Sequence, residues 1–260
     1  MASPAIHLSG VSKRYADHAA LAGVDLVIPV GQFVALVGPS GSGKTTLLKT
    51  INRLVAPDAG TVRIAGEDAG AMPAFVLRRR IGYVFQEIGL FPHLTVAENI
   101  GITPRLLGWE GPRIAARVAA LLDLVALPRE MSGRRPAELS GGQRQRVGVA
   151  RALAAEPSIL LMDEPFGALD PTTREDLGSD VRELHQRLGL TTVMVTHDMA
   201  EAVLLADRIV VLAGGEILAD GTAAELSGVH DLRVKALIDA PRRQAERLRA
   251  KLDATQSVQS

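Results

Sequence analysis

Cysteine is absent from the 260-residue chain. That excludes disulfides and thiolate metal sites, and it fits the cytosol without requiring it. Net charge is absent too, with 29 basic residues against 29 acidic ones. Bulk charge therefore gives no argument for a nucleic acid or an anionic membrane surface as partner. The opening MASPAIHLSG has neither a basic patch nor an apolar run of signal-peptide length, so no export leader is expected. One uncharged stretch, Leu26 to Gly43, is long enough to span a bilayer. It contains Pro29, Gly31, Gln32, Pro39, Ser40, Gly41 and Ser42, which break a membrane helix. It reads as strand, turn, strand and Gly-rich loop, so any work at a membrane is expected of a peripheral subunit. Internal repeats and low-complexity segments are missing as well.

What is present is an ordinary globular balance, 47% apolar and 22% charged. Short β-type runs dominate the first eighty-five residues: Ala5–Leu8, Val24–Ile28, Phe33–Val37, Val62–Ile64 and Ile81–Phe85. The run Phe33–Val37 is apolar throughout, as a strand buried on both faces must be. Lys44–Leu54 follows a Gly-rich loop and reads as a helix. From about residue 90 to 156 the character turns helical. Ile114, Val118, Leu121, Leu122 and Val125 share one face of a helix at Arg113–Ala126, and Gln143–Ala155 is a second helix. Met131–Leu139 is polar and reads as a connecting loop. Strand and helix then alternate: Ile159–Met162, a stripe of Leu177, Val181, Leu184 and Leu188, Thr192–Thr196, Arg208–Leu212, and a short strand at Ile217 after Gly214-Gly215. The pattern predicts an α/β domain with a parallel sheet and a helical insertion. From Pro241 the tail carries Arg242, Arg243, Arg247, Arg249 and Lys251, which read as a solvated helix end.

Three motifs carry chemistry. GPSGSGKT, Gly38 to Thr45, fits the P-loop pattern and lies between an apolar strand and a helix. Glycines let the backbone curl so that successive N–H groups point at phosphate oxygens. The helix N-terminus adds partial positive charge. Lys44 supplies a full charge to the β- and γ-phosphates, and the Thr45 hydroxyl can ligate Mg²⁺. The second motif is ILLMDE, Ile159 to Glu164. It sets Asp163 at a sheet edge, facing bound Mg²⁺, with Glu164 next to it to polarise a water for attack on the γ-phosphate. An apolar strand ending in Asp-Glu is common, and the P-loop upstream gives it weight. The third is LSGGQ, Leu139 to Gln143, ending twenty residues before Asp163.

With LSGGQ in this order and spacing, the chain resembles the ATP-binding cassette (ABC) family over about residues 6 to 227. The resemblance implies a P-loop NTPase fold with a RecA-like core, an antiparallel β subdomain and a helical subdomain at about 90–156. Residues 1–240 would form this domain and 241–260 a basic tail. The implied cofactors are ATP and Mg²⁺. Nucleotide contacts fall to Tyr15, stacked on adenine, and to Gly38, Pro39, Ser40, Gly41, Ser42, Gly43, Lys44, Thr45 and Thr46. From the opposite subunit Ser140, Gly141, Gly142 and Gln143 would meet the γ-phosphate. Asp170 belongs to the D-loop Ala168-Leu169-Asp170 at the dimer interface. Metal ligation falls to Thr45, Gln86 and Asp163, and catalysis to Glu164, His197 and Gln86. No motif position departs from the family pattern.

The resemblance further implies a head-to-tail homodimer closed by two ATP molecules and docked on integral-membrane permease subunits. The chain would sit at the cytoplasmic face of the plasma membrane, served indirectly by a periplasmic or lipid-anchored substrate-binding protein, with no nucleic acid involved. Glu87–Val96 would face the permease, with Leu90, Phe91 and Leu94 in a docking groove or in the core. TINRL (Thr50–Leu54), Ile88–Ile100 and LLGW (Leu106–Trp109) look like the ATPases of quaternary-amine importers, for solutes such as glycine betaine or choline. EPFGALDP, Glu164–Pro171, is typical of importer ATPases broadly. Many members of that subfamily carry a C-terminal CBS pair, for which this chain is too short. Another small solute (an amino acid, a sulfonate or an oxyanion) stays open. Soluble cassette proteins of translation or repair generally have two cassettes or a long coiled-coil insertion. About 95 residues separate Lys44 from Leu139, which disfavours that class.

Overall fold

A computed structural model describes residues 3–243, 245, 246 and 249. The chain opens with a long hairpin, β1 (Ile6–Tyr15) and β2 (His18–Ile28), followed by β3 (Phe33–Val37) and α1 (Lys44–Ile51). Next come β4 (Ala59–Ile64), β5 (Glu67–Asp68), α2 (Ala74–Arg79) and β6 (Ile81–Val84). The helices α3 (Val96–Leu106), α4 (Gly111–Leu124) and α5 (Gly141–Leu153) follow, with short 3-10 turns at Arg129–Gly133 and Pro136–Glu138. Then come β7 (Ile159–Asp163), α6 (Pro171–Leu188), β8 (Thr191–Val195), α7 (Met199–Leu205), β9 (Arg208–Ala213), β10 (Glu216–Gly221), α8 (Ala223–Ser227) and α9 (Leu232–Ile238).

Two sheets result. One is antiparallel, in the order β2-β1-β4-β5. The other runs β10-β9-β3-β8-β7-β6, with parallel pairing everywhere except at its β10 edge. Central strands show why period two matters. Phe33, Ala35 and Val37 face one apolar cluster, with α3, α4, α5 and α6, while Val34 and Leu36 face the other, with α1 and the antiparallel sheet. β7 divides in the same way: Leu160 and Met162 on one side, Ile159 and Leu161 on the other. On α1, Leu47, Leu48 and Ile51 are fully buried. Each such side chain stabilises the fold by about 1.5–3 kcal/mol. That burial clamps the start of α1 under the Gly-rich loop.

Several expectations need correcting. The first two strands extend far beyond Ala5–Leu8 and Val24–Ile28, because β-bulges carry polar residues through the pairing out to Tyr15 and His18. The first helix stops at Ile51 rather than Leu54, since Arg53 takes φ 55°. Met131–Leu139 contains 3-10 turns rather than a plain loop. Leu188, expected on the buried stripe of α6, is exposed at the helix end, where Gly189 turns the chain with φ 60°. Of the basic tail, Arg247 and Lys251 lie outside the described residues. Arg242 pairs with Glu246 and Arg243 donates to the Ala236 carbonyl.

Candidate functional site

The parallel strands deliver three loops to one edge of the sheet. β3 and β8 pair in register, with Leu36 opposite Val195, and β7 pairs with β8, with Asp163 opposite Val195. The Gly-rich loop, the Asp163-Glu164 pair and His197 therefore leave the sheet at its C-terminal end, the place where open α/β sheets bind ligands. Backbone bonds tie the exits together: Thr196 N–H to the Leu36 carbonyl at 3.2 Å and Glu164 N–H to the Val195 carbonyl at 3.0 Å.

Within the Gly-rich loop, glycine is required where the chain approaches its neighbours. Gly38 has φ 149°, and a Cβ there would lie 2.0 Å from the Leu212 carbonyl oxygen. Gly43 has φ 102°, and its Cβ would meet the Ala20 carbonyl oxygen at 2.3 Å. Lys44 is 6% exposed, and its ammonium donates to the carbonyls of Gly38 at 2.8 Å and Pro39 at 2.9 Å. Burial presses its pKa below the ordinary value, while Glu164 and then Asp163 hold it up. Ser40 to Thr46 line a cleft of about 310 Å³ together with Tyr15, His18, Ala20 and Glu164. Tyr15 reaches this cleft from the end of β1, with its ring half exposed.

The acidic pair splits its work. Asp163 is buried; one carboxylate oxygen accepts from Thr45 Oγ1 at 2.8 Å, and the other accepts from the Tyr83 hydroxyl at 3.3 Å. Lys49 Nζ lies 3.9 Å from that second oxygen. Burial, then the charge of Asp163 and its hydrogen bond, push the Tyr83 phenol well above its ordinary pKa. Glu164 holds a left-handed φ of 45°, a conformation that costs energy outside glycine. Its Oε2 accepts from Gln86 Nε2 at 3.2 Å and lies 3.4 Å from His197 Nδ1. The imidazole is otherwise open to solvent, 61% exposed.

Leu139–Gln143 lies apart from this cluster and lines none of its cleft. Ser140 caps α5: its Oγ accepts from Gln143 N–H at 3.2 Å, and Gln143 Oε1 accepts from Ser140 N–H at 2.9 Å. Gly142 has a reason inside its own chain, because a Cβ there would come within 2.6 Å of Thr173 Cγ2. Gly141 meets only Leu169 Cδ2, at 3.9 Å. Asp170 caps α6 through Thr173 N–H at 3.1 Å, and its bonds from Thr173, side chain then backbone, hold its carboxyl below the usual range.

Behind Asp163 opens a second, larger cleft of about 670 Å³. Its walls include Lys49, Leu54, Tyr83, Phe85, Gln86, Phe91, Arg151 and Asp163. Phe91 faces it and is exposed, whereas Leu90 packs against the core. Arg151 fixes the cleft wall by donating to the carbonyls of Ile88 and Gly89, each at 2.7 Å. Sequence reasoning passed over Tyr83 and Lys49. Lys49 carried a signal, standing four residues after Thr45 on the same face of α1. Tyr83 carried none, since it meets Asp163 only across the β6–β7 pair.

Residues 21–167, more than half of the chain, match the family described as ABC transporter. The chain belongs to that family. It is 51% identical over 222 residues to the glycine betaine/carnitine/choline transport ATP-binding protein OpuCA of Bacillus subtilis (strain 168), covering 85% of this chain and 58% of that one. It is 50% identical over 225 residues to the sulfate/thiosulfate import ATP-binding protein CysA of Xylella fastidiosa (strain 9a5c), covering 85% and 64%. The chain thus spans less than two thirds of the length of these curated relatives. Its fold matches the dimeric structure of MJ0796, a bacterial ABC transporter cassette, with a TM-score of 0.77 at 37% identity over 84% of this chain and 98% of that one. A further structure of the same cassette is a post-hydrolysis dimer bound to ADP and Pi. Among the described residues no helix is long and apolar enough to cross a membrane.

Proposed function

We propose that this ABC cassette binds and hydrolyses ATP as the motor of a membrane importer, and that its solute is a quaternary-amine osmoprotectant such as glycine betaine or choline. The observation that carries the ATPase reading is the meeting of Lys44, Asp163, Glu164, Gln86 and His197 at one sheet edge beside a 310 Å³ cleft. Residues 1–240 are read as one nucleotide-binding domain, with a helical subdomain at about 90–156 and a basic tail beyond.

In this reading the ring of Tyr15 stacks on adenine while loop N–H groups and Lys44 hold the β- and γ-phosphates. Glu164 takes a proton from the attacking water. Gln86 and His197 converge on one oxygen of its carboxylate, which leaves the other free to face that water. The donor set suits Mg²⁺: Thr45 Oγ1 and Asp163 are hard oxygens beside the phosphate cradle, with Gln86 nearby. Among the described residues no group of three or more acidic, His or Cys side chains forms an all-protein cage, which fits an ion shared with phosphates and water. When bound, Mg²⁺ would neutralise charge on the phosphate oxygens.

The cradle is open toward solvent, and the exposed cap at Ser140 is the complementary surface. A second copy, packed head to tail, would bring Ser140 to Gln143 onto the γ-phosphate. ATP then favours the closed pair, and hydrolysis lets it reopen. The larger cleft, with Leu54, Phe85 and Phe91 exposed at its walls, suits an apolar helix of a permease subunit, which would hold the chain at the cytoplasmic face of the membrane. A binding protein on the other side would deliver the solute.

The osmoprotectant reading rests on OpuCA; CysA, at nearly the same identity, favours an oxyanion as the second reading. ATP-driven uptake by the chain with its permease separates them. Uptake of glycine betaine or choline, and not sulfate, is the expected result; sulfate uptake alone overturns it. For the motor, the Glu164→Gln protein should bind ATP, fail to turn it over and elute as a dimer only with ATP. A variant of normal turnover would remove Glu164 as the base.

A further inference from the structure

Asp163 is gripped from two sides, and only one of them faces the nucleotide. Its first oxygen meets Thr45 in the phosphate cradle, while its second meets Tyr83 and Lys49 in the wall of the larger cleft. A carboxylate buried to 3% exposure has little freedom beyond what these partners allow. We propose that Tyr83 and Lys49 are positioning residues that set the orientation of the Asp163 carboxylate, and that occupation of the larger cleft alters the metal-holding geometry through them. This rests on the reading of Asp163 as the carboxylate that holds Mg²⁺.

The geometry separates this route from the one through Gln86. Gln86 reaches Glu164, the neighbouring carboxylate, at 3.2 Å. Tyr83 reaches Asp163 from β6, one strand over, and Lys49 reaches it from α1, the helix that also carries Lys44 and Thr45. The cleft wall therefore touches both acids of the pair by different side chains. A hydroxyl and an ammonium on one oxygen orient the carboxylate so that its other oxygen stays turned toward Thr45. The Tyr83 ring packs against Phe85 with centroids 4.5 Å apart, and Phe85 is exposed in the same cleft. A body pressing on Phe85 thus bears on the ring that holds Asp163.

The test measures affinity for a fluorescent ATP analogue with saturating Mg²⁺ and with EDTA, so that binding to metal and binding to nucleotide separate without turnover. Tyr83→Phe removes the hydroxyl and keeps the ring; Lys49→Met removes the charge at a partly exposed site. Each should weaken Mg²⁺-dependent binding roughly threefold to tenfold, raise the Mg²⁺ concentration for half-saturation, and leave affinity in EDTA within about twofold. A merely structural role would lower both affinities together, and that result overturns the proposal. So does an unchanged ratio in both variants. Asp163→Asn is the control: if it too keeps the wild-type ratio, the metal reading itself fails, whereas loss there with no change at Tyr83 and Lys49 sinks only this inference.

Because the chain has no cysteine, Leu54→Cys offers a single labelling point in the cleft wall. A bulky maleimide there should lower Mg²⁺-dependent affinity in the parent and add nothing when Tyr83→Phe and Lys49→Met are combined, since both routes from the cleft are then cut. An unaffected parent, or an equal further loss in that background, overturns the link from cleft to Asp163.

Discussion

The cradle at Gly38–Thr46 is held in shape by its own chain and opens to solvent at Pro39–Gly41, whereas the turn at Ser140–Gln143 faces outward with Ser140 and Gln143 bonded to each other. In the first, Lys44 is buried, Gly38 presses on Leu212, and Thr45 is bonded to Asp163 across the sheet. In the second, Ser140 is exposed and its hydroxyl only caps a helix. In the proposed reading, chemistry that one chain completes is written into tight backbone contacts, and chemistry that needs a second copy is left as an open, capped helix end.

Substitutions can break or sharpen that contrast. The largest effect is expected from Gly38→Ala, where a methyl group would sit 2.0 Å from a backbone oxygen. It should cost about 3 kcal/mol of stability and abolish nucleotide binding, read by chemical denaturation and equilibrium titration. Glu164→Gln should lower kcat by roughly 10²–10⁴-fold with no loss of melting temperature, since its loss is confined to chemistry. Ser140→Ala removes a cap worth about 1 kcal/mol and should lower the melting temperature by roughly 2–4 °C. The same change should leave ATP affinity of the single chain intact while weakening the ATP-dependent dimer; weaker affinity in the single chain would erase the contrast. Gly141→Ala is the finest cut. Its nearest neighbour is 3.9 Å away and its φ is ordinary, so the melting temperature should hold within about 2 °C. Steady-state hydrolysis should nonetheless fall by about an order of magnitude, because only a second copy comes close enough to feel the methyl.

The same contrast explains what could be read before the fold was known. Phe33–Val37 was legible to the residue, because a strand buried on both faces must be apolar throughout. The Gly-rich loop was legible because its motif is contiguous, although Gly38 and Gly43 also answer to distant neighbours, Leu212 and Ala20. Ile159–Asp163 and Thr191–Val195 fell within a residue of their expected ends. β1 and β2 were underread, since Ser12, Lys13 and Arg14 look like loop and are held in pairing by the partner strand. Helices α2 and α7, of 6 and 7 residues, are too short for periodicity to reveal. Tyr83 was hidden for another reason: its partner stands eighty residues on, and no local pattern announces a bond across neighbouring strands.

Helix α5 begins at the outward-facing Ser140 cap and near its other end carries Arg151, whose guanidinium grips the carbonyls of Ile88 and Gly89. Its 13 residues make a rod about 20 Å long. Rods of this kind do not bend cheaply, so a tilt imposed at the tip must reappear at the handle. The outward-facing cap and the strip of chain just after Gln86 are therefore fastened to opposite ends of one rod.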